Sequence, residues 1–129
     1  VVRSESGGQA DPTGEDISSE SFGLETSDQG STRLVRASGE IDILSAPALR
    51  AALLPALDSA DLVVLDLTEV SFLGSSGLAV LVEARDHAQQ GGHQLRLVCT
   101  SRIVLRALEA TGLKDLFEIV DNLPAALEG

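Results

Sequence analysis

Residues 62–82 read LVVLDLTEVSFLGSSGLAVLV, and the order of residue types along them decides the fold. Leu62-Val63-Val64-Leu65 is apolar on successive positions, as in a strand covered on both faces, so a strand is expected over Leu62–Leu67. A loop is expected from Thr68 to Leu73. Gly74-Ser75-Ser76-Gly77 breaks the apolar run, and helix formers resume at Leu78. Strand, loop, hydroxyl-bearing turn and helix start follow one another. Ser75 stands where an N-cap would stand, its hydroxyl able to accept a bond from an orphan N–H of the first turn.

Working outward, the helix from Ser75 runs to Gln90 and stops at Gly91-Gly92. It is expected to pack through some of Leu78, Leu81, Val82 and Ala88, leaving Ala79, Glu83, Asp86 and His87 on the other face. Gln94–Cys99 alternates as a strand. Ser101 opens a helix to Ala110, Phe117–Val120 reads as a last strand, and Pro124–Glu128 as a short helix. Upstream, Phe22–Thr26 and Thr32–Ala37 flank the turn cluster Asp28–Ser31 and make a hairpin. Gly39 suggests a bulge. Leu44–Asp58 is helical, with Ser45 as cap, Pro47 early and Pro55 expected to kink or end it. The order β-β-α-β-α-β-α-β-α implies an α/β fold: one domain with a mixed, mostly parallel sheet of about five strands and about four helices. Residues 22–129 form that domain, and residues 1–21, rich in Ser, Gly, Asp and Glu without apolar period, read as a disordered tail.

Composition narrows the function. The chain has 129 residues and a net charge of −11, with aromatics at 2%. An acidic body repels phosphate backbones, and three Phe cannot supply base-stacking platforms, so nucleic acid is disfavoured as a partner. The same charge disfavours an anionic membrane surface. One cysteine, Cys99, excludes an internal disulfide and a zinc cluster and fits a reducing, cytoplasmic setting. No apolar run reaches spanning length. Glu40 and Asp66 offer two carboxylates, fewer oxygens than a hard cation takes, so no metal is expected.

The serine turn supports few reactions. It lacks the G-x-S-x-G spacing, and the P-loop lysine is absent because Lys114 is the one lysine in the chain. His87 lies about 18 Å along the helix from Ser75, and His93 lies beyond it, so neither serves as base. An enzyme is not expected. The readings left open are a capping serine, a phosphate acceptor at the positive end of the helix dipole, and a cradle for a free anion or nucleotide. Arg102 and Arg106, one turn apart, can attract an anion or simply be solvated.

The run Asp66–Leu81 resembles the signature of the STAS domain family, and in particular the bacterial anti-sigma factor antagonists. Gly39-Glu40-Ile41-Asp42 is similar to the family's second signature, and Arg102–Leu108 with Thr111-Gly112-Leu113 to its third helix and helix end. The resemblance spans about residues 22–128. It implies a bacterial, non-catalytic switch without a cofactor of its own. The unphosphorylated protein binds a serine-kinase anti-sigma factor, which carries ATP, and frees a sigma factor. Phosphorylation ends the interaction, and a serine phosphatase restores it. The acceptor aligns with Ser75, with Ser76 as the alternative. Asp42, Gly74 and Gly77 form the surroundings, and Ser75, Ser76, Ala79 and Glu83 the partner-binding set. The family carries Asp where this chain has Gly74, so a constitutive partner-binding protein and a nucleotide- or anion-binding module stand as alternatives.

Overall fold

The computed structural model describes residues 22–127. The expected tail, 1–21, and the last residue of the expected final helix, Glu128, lie outside them. Five strands form one sheet in the order β1-β2-β3-β4-β5: Phe22–Gln29, Thr32–Ile41, Leu62–Leu73, Gln94–Val98 and Glu118–Val120. β1 and β2 are an antiparallel hairpin, and every later pairing is parallel. The helices are α1 Ala46–Ser59, α2 Ser75–Gly91, α3 Arg102–Ala110 and α4 Leu123–Leu127, with a 3₁₀ turn at Lys114–Leu116. The expected element order and sheet type are those observed.

Strands that add in sequence order through one-handed crossovers place their helices on one face. Accordingly, Val35, Val63, Leu65, Leu67 and Leu97 share a core with Leu49, Leu53 and Leu57 of α1, Leu78 and Leu81 of α2, and Val104 and Leu108 of α3. The opposite face packs Leu34, Leu62, Val64 and Val98 against Ala126 and Leu123 of α4. Two covered faces explain why Leu62–Leu65 is apolar without alternation. α4 is fastened by Arg96 of β4, which is buried, donates from Nη1 to the Ala126 carbonyl at 2.7 Å and pairs with Glu118 at 3.0 Å.

Three local expectations are corrected. β3 does not end at Leu67. Thr68–Leu73, expected as a loop, pairs with the end of β2 (Ser38 with Glu69, Gly39 with Val70, Glu40 with Phe72, Ile41 with Leu73). Register shifts on either side of Ser38–Gly39, where Gly39 has φ +85°, break the alternation that marks a strand. Pro55 neither ends α1 nor breaks its course. Its lost partner, the Ala51 carbonyl, sits on the exposed side, where water replaces the missing donor. α1 begins at Ala46 rather than Leu44, because Asp42–Ser45 forms a turn of its own.

Candidate functional site

Ile41 and Leu73 are register partners at the ends of β2 and β3. The chains leaving them, Asp42–Ser45 and Gly74–Ser76, therefore emerge side by side at the carboxyl end of the sheet, where open α/β folds place their sites. The Gly74 N–H donates to the Ile41 carbonyl at 2.9 Å and ties the two together. Gly77 fits because it has no side chain: a Cβ there would lie 2.5 Å from Ile41 Cγ2 and 2.6 Å from Leu73 Cδ1. Asp42, Gly74, Ser75 and Gly77 are thus gathered at one junction.

The N-cap of α2 is Gly74, not Ser75. Gly74 is extended (φ −90°, ψ −178°), and its carbonyl accepts the Leu78 N–H at 3.0 Å, so the helix ladder begins one residue earlier than expected. Ser75 is the first helical residue and is exposed, whereas Ser76 is half-buried. Neither hydroxyl has a hydrogen bond among the described residues. No side chain caps α2, and its first turn holds no acid, so the positive end of the helix is uncompensated beside Ser75. Gly74 is not required by its backbone angles. A Cβ there would stand 3.0 Å from the Phe72 ring, which rests against the glycine.

Asp42 organises the neighbouring loop. Its Oδ1 accepts the Leu44 N–H at 3.0 Å and the Ser45 N–H at 3.1 Å. The Ser45 N–H first, then the Leu44 N–H and the Ser45 hydroxyl, hold the carboxyl below the usual aspartate range against a smaller opposing effect of burial. The Ser45 hydroxyl donates to the Glu40 carbonyl at 2.8 Å and accepts the Asp42 N–H at 2.9 Å. Ser45 therefore does not cap α1 through its side chain. With the loop pinned this way, Ile43 and Leu44 stand 75% and 70% exposed. Phe72, across the junction, is 47% exposed. Sequence reasoning missed these three. Two consecutive apolar residues between a turn-forming Asp and a capping Ser, outside the stripe of α1, were the available signal.

Ser75, Ala79 and Glu83 line up along the exposed side of α2 at intervals of four. Glu83 is occupied: Arg50 of α1 donates to both its oxygens at 2.8 Å and holds its carboxyl low. His87 Nε2 lies 2.7 Å from Asp58 Oδ1, another α1–α2 link, and stands apart from the junction. Cys99 is buried, which raises its thiol pKa. Among the described residues no three His, Cys, Asp or Glu side chains group as a metal site, and no helix is long and apolar enough to cross a membrane. The junction offers an exposed nucleophilic hydroxyl, an unoccupied helix end and an apolar rim, without a base or a cofactor pocket of its own.

The family profile described as STAS domain matches residues 24–126. The anti-sigma-B factor antagonist of Bacillus subtilis is 36% identical over 85 residues, covering 66% of this chain and 78% of its own. The crystal structure of an anti-sigma factor antagonist from Mycobacterium paratuberculosis is 32% identical with a TM-score of 0.76, covering 84% of this chain and 92% of that one. The phosphorylated form of the Bacillus cell fate determinant SpoIIAA shares the fold at 20% identity and a TM-score of 0.62, over 81% of this chain and 95% of that one.

Proposed function

The chain belongs to the STAS domain family, and from that membership we propose that it is an anti-sigma factor antagonist switched by phosphorylation of Ser75. The observation that carries the proposal is the junction itself. An exposed serine hydroxyl at an uncapped helix end adjoins a rim of exposed Ile43, Leu44 and Phe72. Unphosphorylated, the rim gives a partner apolar surface to bury, in a patch that a monomer has no folding reason to expose. The partner is a serine-kinase anti-sigma factor, the class that the relatives' names point to.

Phosphoryl transfer needs only a nucleophile from this chain. The Ser75 oxygen forms the new P–O bond to the γ-phosphorus of ATP held by the partner. ADP leaves, and the hydroxyl proton passes to a base on the kinase. The product carries about −1.5 to −2 charge, which the α2 dipole stabilises, so the helix persists. The apolar rim now adjoins a charge that must be desolvated for the same contact to form, and binding is lost. A serine phosphatase reverses the step. The chain supplies no catalysis of its own in this scheme, since His87 is about 18 Å along α2.

Incubation with the cognate kinase and ATP is expected to add one phosphate, read by intact mass, and Ser75→Ala to take none. Equal labelling of Ser75→Ala would reject the site. Ile43→Ser with Leu44→Ser is expected to leave the melting temperature unchanged and to abolish capture by the kinase. A constitutive partner-binding protein is the second reading, favoured by Gly74 and the Phe72 ring against it. It requires capture that ATP does not diminish.

A further inference from the structure

Every lysine and arginine among the described residues has a carboxylate partner except two. Arg33, Arg36, Arg50, Arg85, Arg96 and Lys114 are paired. Arg102 and Arg106 are exposed and have none, in a chain of net charge −11. They share one face of α3 with Ile103, which is 55% exposed, while Val104 and Leu108 turn inward. The face is unpartnered, basic and apolar at once.

The chain upstream of β1 has the complementary chemistry. Residues 1–21 hold Glu5, Asp11, Glu15, Asp16 and Glu20 against Arg3 alone, and Glu15-Asp16-Ile17 sets two acids beside an isoleucine. The strand pairing fixes where that segment enters. Phe22 pairs with Gly39 in the antiparallel hairpin, so it lies at the end of the sheet that holds the junction. α3 starts at the same end, after β4. From β1 to β4 is three strand spacings, roughly 15 Å. Residues 15–17 precede Phe22 by five to seven positions, a reach of roughly 17–25 Å in extended chain.

We propose that Glu15-Asp16-Ile17 docks on the Arg102–Ile103–Arg106 face of α3 of the same molecule, drawing residues 18–21 across the Ser75 end of the sheet. That this strap restrains access to Ser75 rests on the phosphorylation reading. The docking itself does not, and its test uses no kinase.

The test is paramagnetic relaxation in the isotope-labelled full chain with a spin label at Ser18→Cys. Cys99, at 3% exposure, is shielded from the label. The amides of Arg102–Arg106 are expected to lose intensity at about 0.1 M salt and to recover it near 1 M, where the screening length falls from about 10 Å to about 3 Å. Arg102→Glu with Arg106→Glu removes the loss, and adding Glu15→Arg with Asp16→Arg restores it. Arg102→Gln with Arg106→Gln stands in should the double reversal misfold. Full α3 intensity in the parent would overturn the proposal. So would a loss indifferent to the arginine changes, or one that persists when the spin label and the isotope are on different molecules, which would mean a second copy.

Discussion

Replacing Gly77 with alanine probes the joint on which the site depends. The added methyl would lie 2.5 Å from Ile41 Cγ2, 2.6 Å from Leu73 Cδ1 and 3.3 Å from Ile41 Cβ. Ordinary carbon contacts are about 3.5–4.0 Å, so two overlaps of about 1 Å must be relieved. Neither neighbour yields easily, since Ile41 is wholly buried and Leu73 is 5% exposed. Overpacking of this kind costs about 1–3 kcal/mol. Alanine returns at most about 0.5–1 kcal/mol of helix propensity, and less at the third helical position than in mid-helix. Sterics win, and the net loss is about 1–2 kcal/mol. With a urea m-value of about 1–3 kcal/mol/M, the midpoint falls by on the order of 1 M. Gly74→Ala is the control. Its methyl meets the Phe72 ring at 3.0 Å, but that ring is 47% exposed and can swing away. Only the poorer capping of alanine remains, about 0.5 kcal/mol. A midpoint for Gly77→Ala at or above the parent, or equal losses for the two variants, would refute the claim that Gly77 is there for close packing.

Two further outcomes follow from the same coordinates. Asp42 has a folded pKa below its unfolded value of about 3.9, so its contribution is complete above that pH and disappears as pH falls through the folded value. Asp42→Asn should flatten the acid limb of stability below about pH 4, and urea midpoints that keep the parent's slope there would count against the loop geometry. Arg96→Met keeps volume but loses the bonds to the Ala126 carbonyl and Glu118, and should cost about 2 kcal/mol. Amide exchange at Leu123–Leu127 should speed up while α1 and α2 stay protected. Unchanged protection in α4 would mean that Arg96 is not its fastener.

The sequence carried the element order, because hairpin turn, strand and helix each had their own period and their own stop. It failed where two signals overlapped. Thr68, Glu69 and Ser71 looked like loop residues, yet their backbone pairs with β2 across two register shifts. A bulge keeps the hydrogen bonds and discards the alternation, so polarity alone misleads there. Ser75 was placed as a cap because its residue type prefers that position. An extended Gly74 can open the ladder equally well, and the choice between neighbours depends on the Ile41 carbonyl, which is distant in sequence. Asp42, Gly74, Ser75 and Gly77 do meet. The rim of Ile43, Leu44 and Phe72 was not legible, since exposure of an apolar residue is a property of the surroundings and not of its type.

The bond from Gly74 to the Ile41 carbonyl closes the last rung of a parallel pair. Such rungs form only after the intervening crossover has been made, here all of α1. Until then Ser75 exists as a residue, but the surface around it does not. A partner that touches both loops at once therefore recognises a finished domain. It ignores an emerging or partly unfolded chain that displays the same serine. Stoichiometry between antagonist and partner would then count folded molecules only, and a destabilised variant would register as a shortage of antagonist before any loss of chemistry.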